Sequence, residues 1–228
     1  MSDHIYNYDE QQPFASAEFA ENPEPRCPCV LLLDTSGSMR GAAIDELNRG
    51  LQSFREELFS DSLSLKRVEI AIVTFGPVAV MQDFTTADQF RPLRLEASGD
   101  TPLGAAVGRG LILLKQRKEI LRGNGIKLFR PWIFLMTDGE PTDNWQHLPP
   151  IIRAGEENKS FSFFALGVAD ANFDVLKQIA VREPLKLNGV RFKEFFVWLS
   201  ASLKNVSRST PGDTVSIPDY KPYGWADV

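Results

Sequence analysis

The chain has 228 residues, of which 43% are hydrophobic and 24% are charged, and its formal net charge is −5. These values are typical of a globular protein with a sizeable core, and they exclude wholesale disorder and collagen-like repeats. No apolar run approaches the roughly 18 residues of a membrane helix, and no signal peptide is recognisable, so we expect a soluble cytoplasmic protein without membrane contact.

The negative charge is concentrated in the N-terminal segment. Residues 1–26 contain six acidic residues and one arginine, whereas the rest of the chain has 24 residues of each sign. This polar segment also contains three prolines, and we predict an extended acidic arm. The neutral body lacks the basic face that binding to phosphates requires, which argues against nucleic acid as the main ligand.

Apolar runs and helical patterns alternate along residues 27–206, which we interpret as one domain. Short apolar runs predict strands at residues 30–33, 68–75, 78–84, 131–137, 161–168 and 185–187. Amphipathic spacing, capping residues and prolines predict helices at residues 44–58, 101–122, 149–158, 172–181 and 192–206. Residues 207–228 follow neither period and form a predicted tail that contains Pro, Gly and Asp.

This alternation predicts an α/β fold, namely a Rossmann-like three-layer sandwich. Its mainly parallel six-stranded sheet would carry helices on both faces. Only a tight turn at Gly76-Pro77 joins the second and third strands, so we predict that the third strand is antiparallel and lies at an edge. Ligands of such sheets bind beyond the carboxyl ends of the strands, and a functional site is therefore expected in the loops there.

Three of these loops carry oxygen-rich side chains. Asp34, Ser36 and Ser38 alternate after the first strand, Thr101 precedes the second helix, and Asp138 follows the fourth strand. Oxygen ligands suit a hard divalent ion such as Mg²⁺ or Mn²⁺. Each loop also has a plainer interpretation, as a polar strand-to-helix turn, a helix cap and an Asp-Gly turn respectively.

The order of these three loops resembles the metal-ion-dependent adhesion site (MIDAS) of von Willebrand factor A domains, and the resemblance covers about residues 28–206. More narrowly, residues 27–39, 130–139 and 197–202 resemble the bacterial TerY-like branch, which is associated with tellurium-resistance and stress gene clusters. These are the runs CPCVLLLDTSGSM, RPWIFLMTDG and VWLSAS.

The resemblance implies a ligand set and a function. Ser36, Ser38 and Thr101 would supply hydroxyl ligands, and Asp34 and Asp138 would lie close by, often binding through water. The open coordination position would be filled by a partner's Asp or Glu, because a site rich in neutral hydroxyls leaves the cation under-neutralised. The implied function is a regulatory adaptor without catalysis of its own, with a protein kinase or a PP2C-type phosphatase as candidate partners.

One residue departs from the commoner family pattern. Asp100 stands where many relatives have glycine before the threonine. Turned inward, it would favour metal retention and weaken the attraction of an acidic partner; facing water, it would change little. Glu140, Asp143 and Asp83, which also lie near predicted strand ends, are interpreted as solvated loop charges.

Enzymatic alternatives find less support in the sequence. A phosphatase of the haloacid dehalogenase type would need a second Asp where this chain has Ser36, so its general acid is missing. A serine hydrolase would need a base, but the two histidines, His4 and His147, lie in the arm and in a loop, and no Gly-x-Ser-x-Gly motif exists. Nucleotide-binding glycine motifs are absent as well.

A metal-independent scaffold that binds through its tails is the remaining alternative. Trp225, alone in a polar segment, would either dock the tail onto the body or bind a partner. Asp219 or Asp227 could also supply a carboxylate that inhibits the metal site. Cys27 and Cys29 cannot form a disulfide framework and lack zinc spacing, so we interpret both as structural.

Overall fold

The computed structural model describes residues 18–169 and 171–227. The strands are β1 (Cys27–Asp34), β2 (Val68–Phe75), β3 (Ala79–Thr86), β4 (Trp132–Thr137), β5 (Ser162–Val168), β6 (Leu185–Leu187) and β7 (Ala226–Asp227). The helices are α1 (Ala42–Phe59), α2 (Ser62–Arg67), α3 (Leu103–Gly123), α4 (Leu148–Glu157), α5 (Phe173–Ile179) and α6 (Phe192–Arg208). No helix in these two stretches is long and apolar enough to cross a membrane.

The sheet confirms the predicted architecture. Its strand order is β3-β2-β1-β4-β5-β6-β7, with β3 antiparallel at one edge and β2, β1, β4, β5 and β6 mutually parallel. At the other edge the tail adds β7, a two-residue strand antiparallel to β6 that the sequence analysis did not predict. Two residues are too short to show a strand period, which is why only the folded chain reveals this pairing.

Both faces of the sheet are covered, because successive side chains of a strand point to opposite sides. In β1, Leu31 and Leu33 pack with α1 and α6, whereas Val30 and Leu32 pack with α3, α4 and α5. The apolar stripe of α1 is buried as its spacing predicted, and so is that of α6. Since helices cover both faces of the sheet, polar side chains can meet at the exposed ends of the strands.

The amino edge of the sheet is tied to the N-terminal segment by buried charges. Arg26 and Glu69 are fully buried and joined at 3.1 Å, and Arg117 reaches the same carboxylate at 2.6 Å. Glu18 also pairs with Arg117, at 2.8 Å. Residues 18–21 are helical rather than extended, so the described part of the predicted arm is attached to the body; residues 1–17 lie outside the described residues.

The C-terminal tail packs back onto α6. Trp225 is fully buried, with its ring 5.1 Å from those of Phe195 and Trp198 and 5.5 Å from that of Tyr220. The Trp198 indole donates a hydrogen bond to the carbonyl of Pro218 at 2.8 Å. Of the two roles considered for Trp225, the structure therefore supports docking of the tail onto the body.

Candidate metal centre

Asp34 ends the central strand β1 at the carboxyl edge of the sheet, where it is almost completely buried. Its Oδ1 accepts a hydrogen bond from the backbone N–H of Ser36 at 2.8 Å, and its Oδ2 accepts one from the Thr137 hydroxyl at 2.5 Å. Thr137 ends β4, the strand next to β1. Two neighbouring strand ends are thus linked through one carboxylate, a role for Thr137 that the sequence analysis missed.

Burial raises the pKa of Asp34, and the nearby Asp138 raises it further, while hydrogen bonds from Ser36 and Thr137 lower it. The direction follows because a carboxylate removed from water is destabilised relative to its neutral form. A cation beside Asp34 would reverse this balance, since positive charge favours the ionised carboxylate. The buried acid is therefore electrostatically suited to a bound metal.

A chain of oxygen atoms runs outward from Asp34. The hydroxyls of Ser36 and Ser38 lie 2.9 Å apart, and Ser38 donates a hydrogen bond to Oδ1 of Asp138 at 2.6 Å. Ser36 is buried, Asp138 is half-buried and Ser38 is exposed, so the chain leads from the interior to the surface. The loops after β1 and β4 therefore bring these three predicted ligands together.

Thr101 approaches the same group of oxygens from the loop before α3. A β-carbon built on Gly139 would lie 3.4 Å from the Thr101 hydroxyl oxygen and 3.6 Å from that of Ser38, so both hydroxyls border one small space. The backbone of Thr101 is held by Thr142, whose hydroxyl accepts from Thr101 N–H and whose N–H donates to Thr101 C=O. All five predicted side chains thus belong to one group of neighbouring residues at the carboxyl edge of the sheet.

These oxygens fit a small hard cation. Ligands about 2.1 Å from an octahedral Mg²⁺ are separated by roughly 3 Å from their neighbours. The observed separations of 2.9 Å between the two serine hydroxyls and 2.6 Å between Ser38 and Asp138 are close to that value. Among the described residues no group of three or more His, Cys, Asp and Glu forms a cation site, so this centre differs from a carboxylate cage in being rich in hydroxyls.

The first loop is held in place by neighbouring loops as well as by its own hydrogen bonds. Gly37 N–H donates to the carbonyl of Gly99 at 3.0 Å, and Ser98 N–H donates to that of Thr35 at 2.7 Å. Gly76 has a positive φ of +115°, and a β-carbon there would lie 2.7 Å from the backbone nitrogen of Ser36. Only glycine allows the turn between β2 and β3 to approach this loop so closely.

The other acids near the site have different environments. Asp100 is exposed, so its carboxylate is on the surface rather than buried with Asp34. Asp143 is not a freely solvated loop charge, as the sequence had suggested, because its two oxygens accept from the N–H groups of Gly104 and Ala105 at 2.8 and 2.7 Å. It caps the first turn of α3 and thereby anchors the helix that follows Thr101. Glu140 and Asp83 are exposed, but neither is a free loop charge. The Glu140 carboxylate accepts from the side-chain amide of Asn172, and Asp83 lies within β3 and accepts from the N–H of Phe84.

Together, the doubly wound sheet and the hydroxyl-rich cluster at its carboxyl edge define an α/β domain with a candidate cation site. The family model of the von Willebrand factor type A domain matches residues 29–196, and the chain belongs to that family. The matched stretch lies within the predicted domain of residues 27–206 and contains all five side chains of the site.

Solved structures share the fold at low sequence identity. Proximal thread matrix protein 1 from the mussel byssus, crystal form 2, is 18% identical over 79% of this chain and 48% of that chain, with a TM-score of 0.54. The same protein with a zinc-occupied MIDAS motif gives 18% identity, the same coverage and a TM-score of 0.53. The pilus adhesin SpaC from Lactobacillus rhamnosus GG is 13% identical over 79% of this chain and 30% of that chain, with a TM-score of 0.58.

At these identities the similarity supports the fold alone. The chain spans about half the length of the first of these structures. No curated protein matches the sequence.

Proposed function

We propose that this chain is a divalent-metal-dependent protein-binding module that acts as a regulatory adaptor. The observation that carries the proposal is the hydrogen-bonded series Ser36, Ser38 and Asp138, which places ligand oxygens at metal-compatible spacing on a surface-accessible edge. Mg²⁺ or Mn²⁺ is the proposed ion, because all five donors are hard oxygen atoms. The zinc-occupied MIDAS of the mussel protein supports a divalent ion in this fold.

The proposed ligand of the open coordination position is a partner's Asp or Glu. Both oxygens of Asp34 are already hydrogen-bonded, so the hydroxyls and Asp138 would provide most of the direct contacts. Neutral hydroxyls compensate little of the charge of a divalent ion, and an incoming carboxylate would complete the compensation. Asp100, exposed beside Thr101, would tune this attraction without being a ligand.

The branch of the family, the biological context and the partner are proposed from the sequence resemblance. We propose membership of the TerY-like branch, a stress-response or tellurium-resistance context, and a protein kinase or PP2C-type phosphatase as the partner. A cytoplasmic location belongs to the same proposal and is supported by Cys27 and Cys29, which are buried and unpaired.

We propose no catalytic activity for the site. The Ser36 hydroxyl has that of Ser38 as its neighbour, and Ser38 donates to Asp138. Within the part of the chain that the structure describes, neither serine is hydrogen-bonded to a histidine that could act as a base. The phosphoryl-hydrolase alternative predicts turnover of a generic phosphate ester that is lost when Asp34 is replaced. Failure of the wild-type protein to release phosphate with Mg²⁺ present would agree with the adaptor role.

The decisive experiment combines metal binding with partner capture. Thr101→Val removes one hydroxyl with little change in shape, and Thr86→Val is a control at a similarly buried threonine away from the site. We expect Thr101→Val to weaken Mn²⁺ binding in calorimetry by about tenfold, the effect of losing one charge-assisted contact, and the control to leave it unchanged.

Capture is then measured with a purified candidate kinase or phosphatase in Mg²⁺ and in EDTA. Binding that is lost in EDTA and in Thr101→Val supports the adaptor. A complex that persists in EDTA would instead favour the metal-independent scaffold, because much of the described tail is exposed although Trp225 anchors it to the body.

A further inference from the structure

A cavity of about 530 Å³ lies at the amino edge of the sheet, at the opposite end of the strands from the metal centre. Its walls come from the second half of α3, the start of β4, the turn after α4 and the tail. Ligand pockets usually have volumes of about 300 to 1,000 Å³, so the cavity is large enough for a small organic molecule.

The lining carries an excess of positive charge. Five of the side chains around the cavity are cationic: Lys118, Arg122, Arg130, Lys159 and Arg182. Arg130 and Arg182 both bind Glu156, and the one acid in the described lining, Asp213, accepts from the backbone of Thr210. Among the described residues, Lys118, Arg122 and Lys159 form no salt bridge, which leaves three cations without an acidic partner.

One of these cations, Lys118, is half-buried close to a second cation on the same helix. Lys118 and Arg122 are four residues apart on α3, where like charges repel each other. Burial lowers the pKa of Lys118, and Arg122 lowers it further, while its ammonium donates to the carbonyl of Ser160 at 3.0 Å. A bound anion would offset both the burial and the repulsion.

Lys159 is unusual in its backbone conformation. It has a positive φ of 58° directly after α4, at a position where glycine is the usual residue. A residue with a β-carbon is disfavoured in this conformation, and strained positions of this kind cluster at functional sites. The strained backbone here brings a cation to the cavity wall.

Part of the remaining wall is apolar. Val215 and Ile217 line the cavity from the tail, which lies beyond the residues matched by the family model. Trp132 lines it from the start of β4. The cavity therefore combines cationic side chains with hydrophobic surface.

We propose that this cavity binds a phosphorylated small molecule of nucleotide size. Its phosphate groups would be held by Lys118, Arg122 and Lys159, and its uncharged portion would lie against Val215 and Ile217. The site is distinct from the metal centre and does not depend on it.

The test is calorimetry of the full chain with ATP, inorganic pyrophosphate and adenosine, in EDTA so that no metal can hold the phosphates. We expect ATP to bind more tightly than pyrophosphate, adenosine to bind more weakly than either, and ATP affinity to fall with added salt. The double variant Arg122→Gln and Lys159→Gly should lose at least about tenfold in ATP affinity, the effect of removing charged hydrogen bonds.

Controls separate this effect from unfolding or general charge. Glycine adopts the positive φ of position 159 without steric cost, so the melting temperature of the double variant should not fall. Lys115→Gln removes an exposed cation from the same helix outside the cavity and should bind ATP like the wild type. Absence of ATP binding at millimolar concentration, equal binding of adenosine and ATP, or wild-type affinity in the folded double variant would each overturn the proposal.

Discussion

The hydroxyl of Ser38 donates a hydrogen bond to Oδ1 of Asp138 at 2.6 Å, although 100 residues separate the two in sequence. Ser38 follows the central strand β1 and Asp138 follows its neighbour β4, so adjacent parallel strands deliver both groups to one edge. This contact shows how the sheet assembles oxygen ligands that no single loop contains.

Replacing Asp34 with Asn should weaken Mn²⁺ or Mg²⁺ binding by about 10- to 100-fold, the usual effect of losing a group that orients metal ligands. The metal-free variant should melt at the same or a higher temperature, since the buried charge is removed. Calorimetry and thermal unfolding in EDTA measure the two effects. Asp88→Asn, at an exposed turn, is the matched control; a folded Asp34→Asn protein that keeps wild-type metal affinity would refute the site.

The same substitution should change the pH dependence of stability. The folded metal-free protein holds a proton on Asp34 above the ordinary pKa of a carboxyl, because burial raises that pKa. Between the unfolded and folded pKa values the unfolded state binds fewer protons, so the contribution of Asp34 to stability falls as pH rises through this window. The free energy of unfolding of the wild type minus that of Asp34→Asn, measured with urea in EDTA, should decline as pH rises through this window. A difference that does not change with pH would contradict the prediction.

Gly76→Ala should damage the metal centre indirectly. A β-carbon at this positive-φ position would lie 2.7 Å from the backbone nitrogen of Ser36 and the carbonyl oxygen of Ser98, so the site loop must move. We expect a loss of about 1 to 3 kcal/mol in the free energy of unfolding together with weaker metal binding. Gly108→Ala, on α3 with open space around it, should instead be neutral or stabilising by up to about 1 kcal/mol.

Glu69→Ala should be among the most destabilising single changes in the chain. It would leave the fully buried guanidinium of Arg26 and the largely buried one of Arg117 without their shared carboxylate. Breaking a buried ion pair by removing one partner costs about 3 to 5 kcal/mol. Urea unfolding measures this loss, and Glu183→Ala, which removes an exposed ion pair with Lys177, should give a curve that overlays the wild type.

The docked tail can be tested through two tryptophans. Trp225→Ala should cost about 3 to 5 kcal/mol, because a fully buried indole is removed from the aromatic cluster on α6. Trp225→Phe should cost less than Trp198→Phe, since the buried N–H of Trp225 has no hydrogen-bond partner within the described residues whereas that of Trp198 donates to Pro218. The opposite order in denaturant unfolding would show that the tail is held differently.

The sequence by itself was sufficient to predict six strands of the domain and five of its helices in their order, but not the short helix α2 or the strand β7. Strands such as 68–75 and the apolar stripes of α1 and α6 were predictable from hydrophobic periodicity, because this pattern is contained in the sequence of the segment itself. The three oxygen-rich loops could be singled out for the same reason, because strand ends are predictable from the runs that precede them.

Only the tertiary structure decided which side chains meet. The bond from Thr137 to Asp34, the cap of α3 by Asp143, the burial of Glu69 between two arginines and the pairing of β7 with β6 all join residues distant in sequence. No local pattern encodes such contacts, since each depends on how strands and helices pack. For this chain, the pattern of residues predicted where a metal centre would form, and the packing of the sheet determined how its oxygens are held.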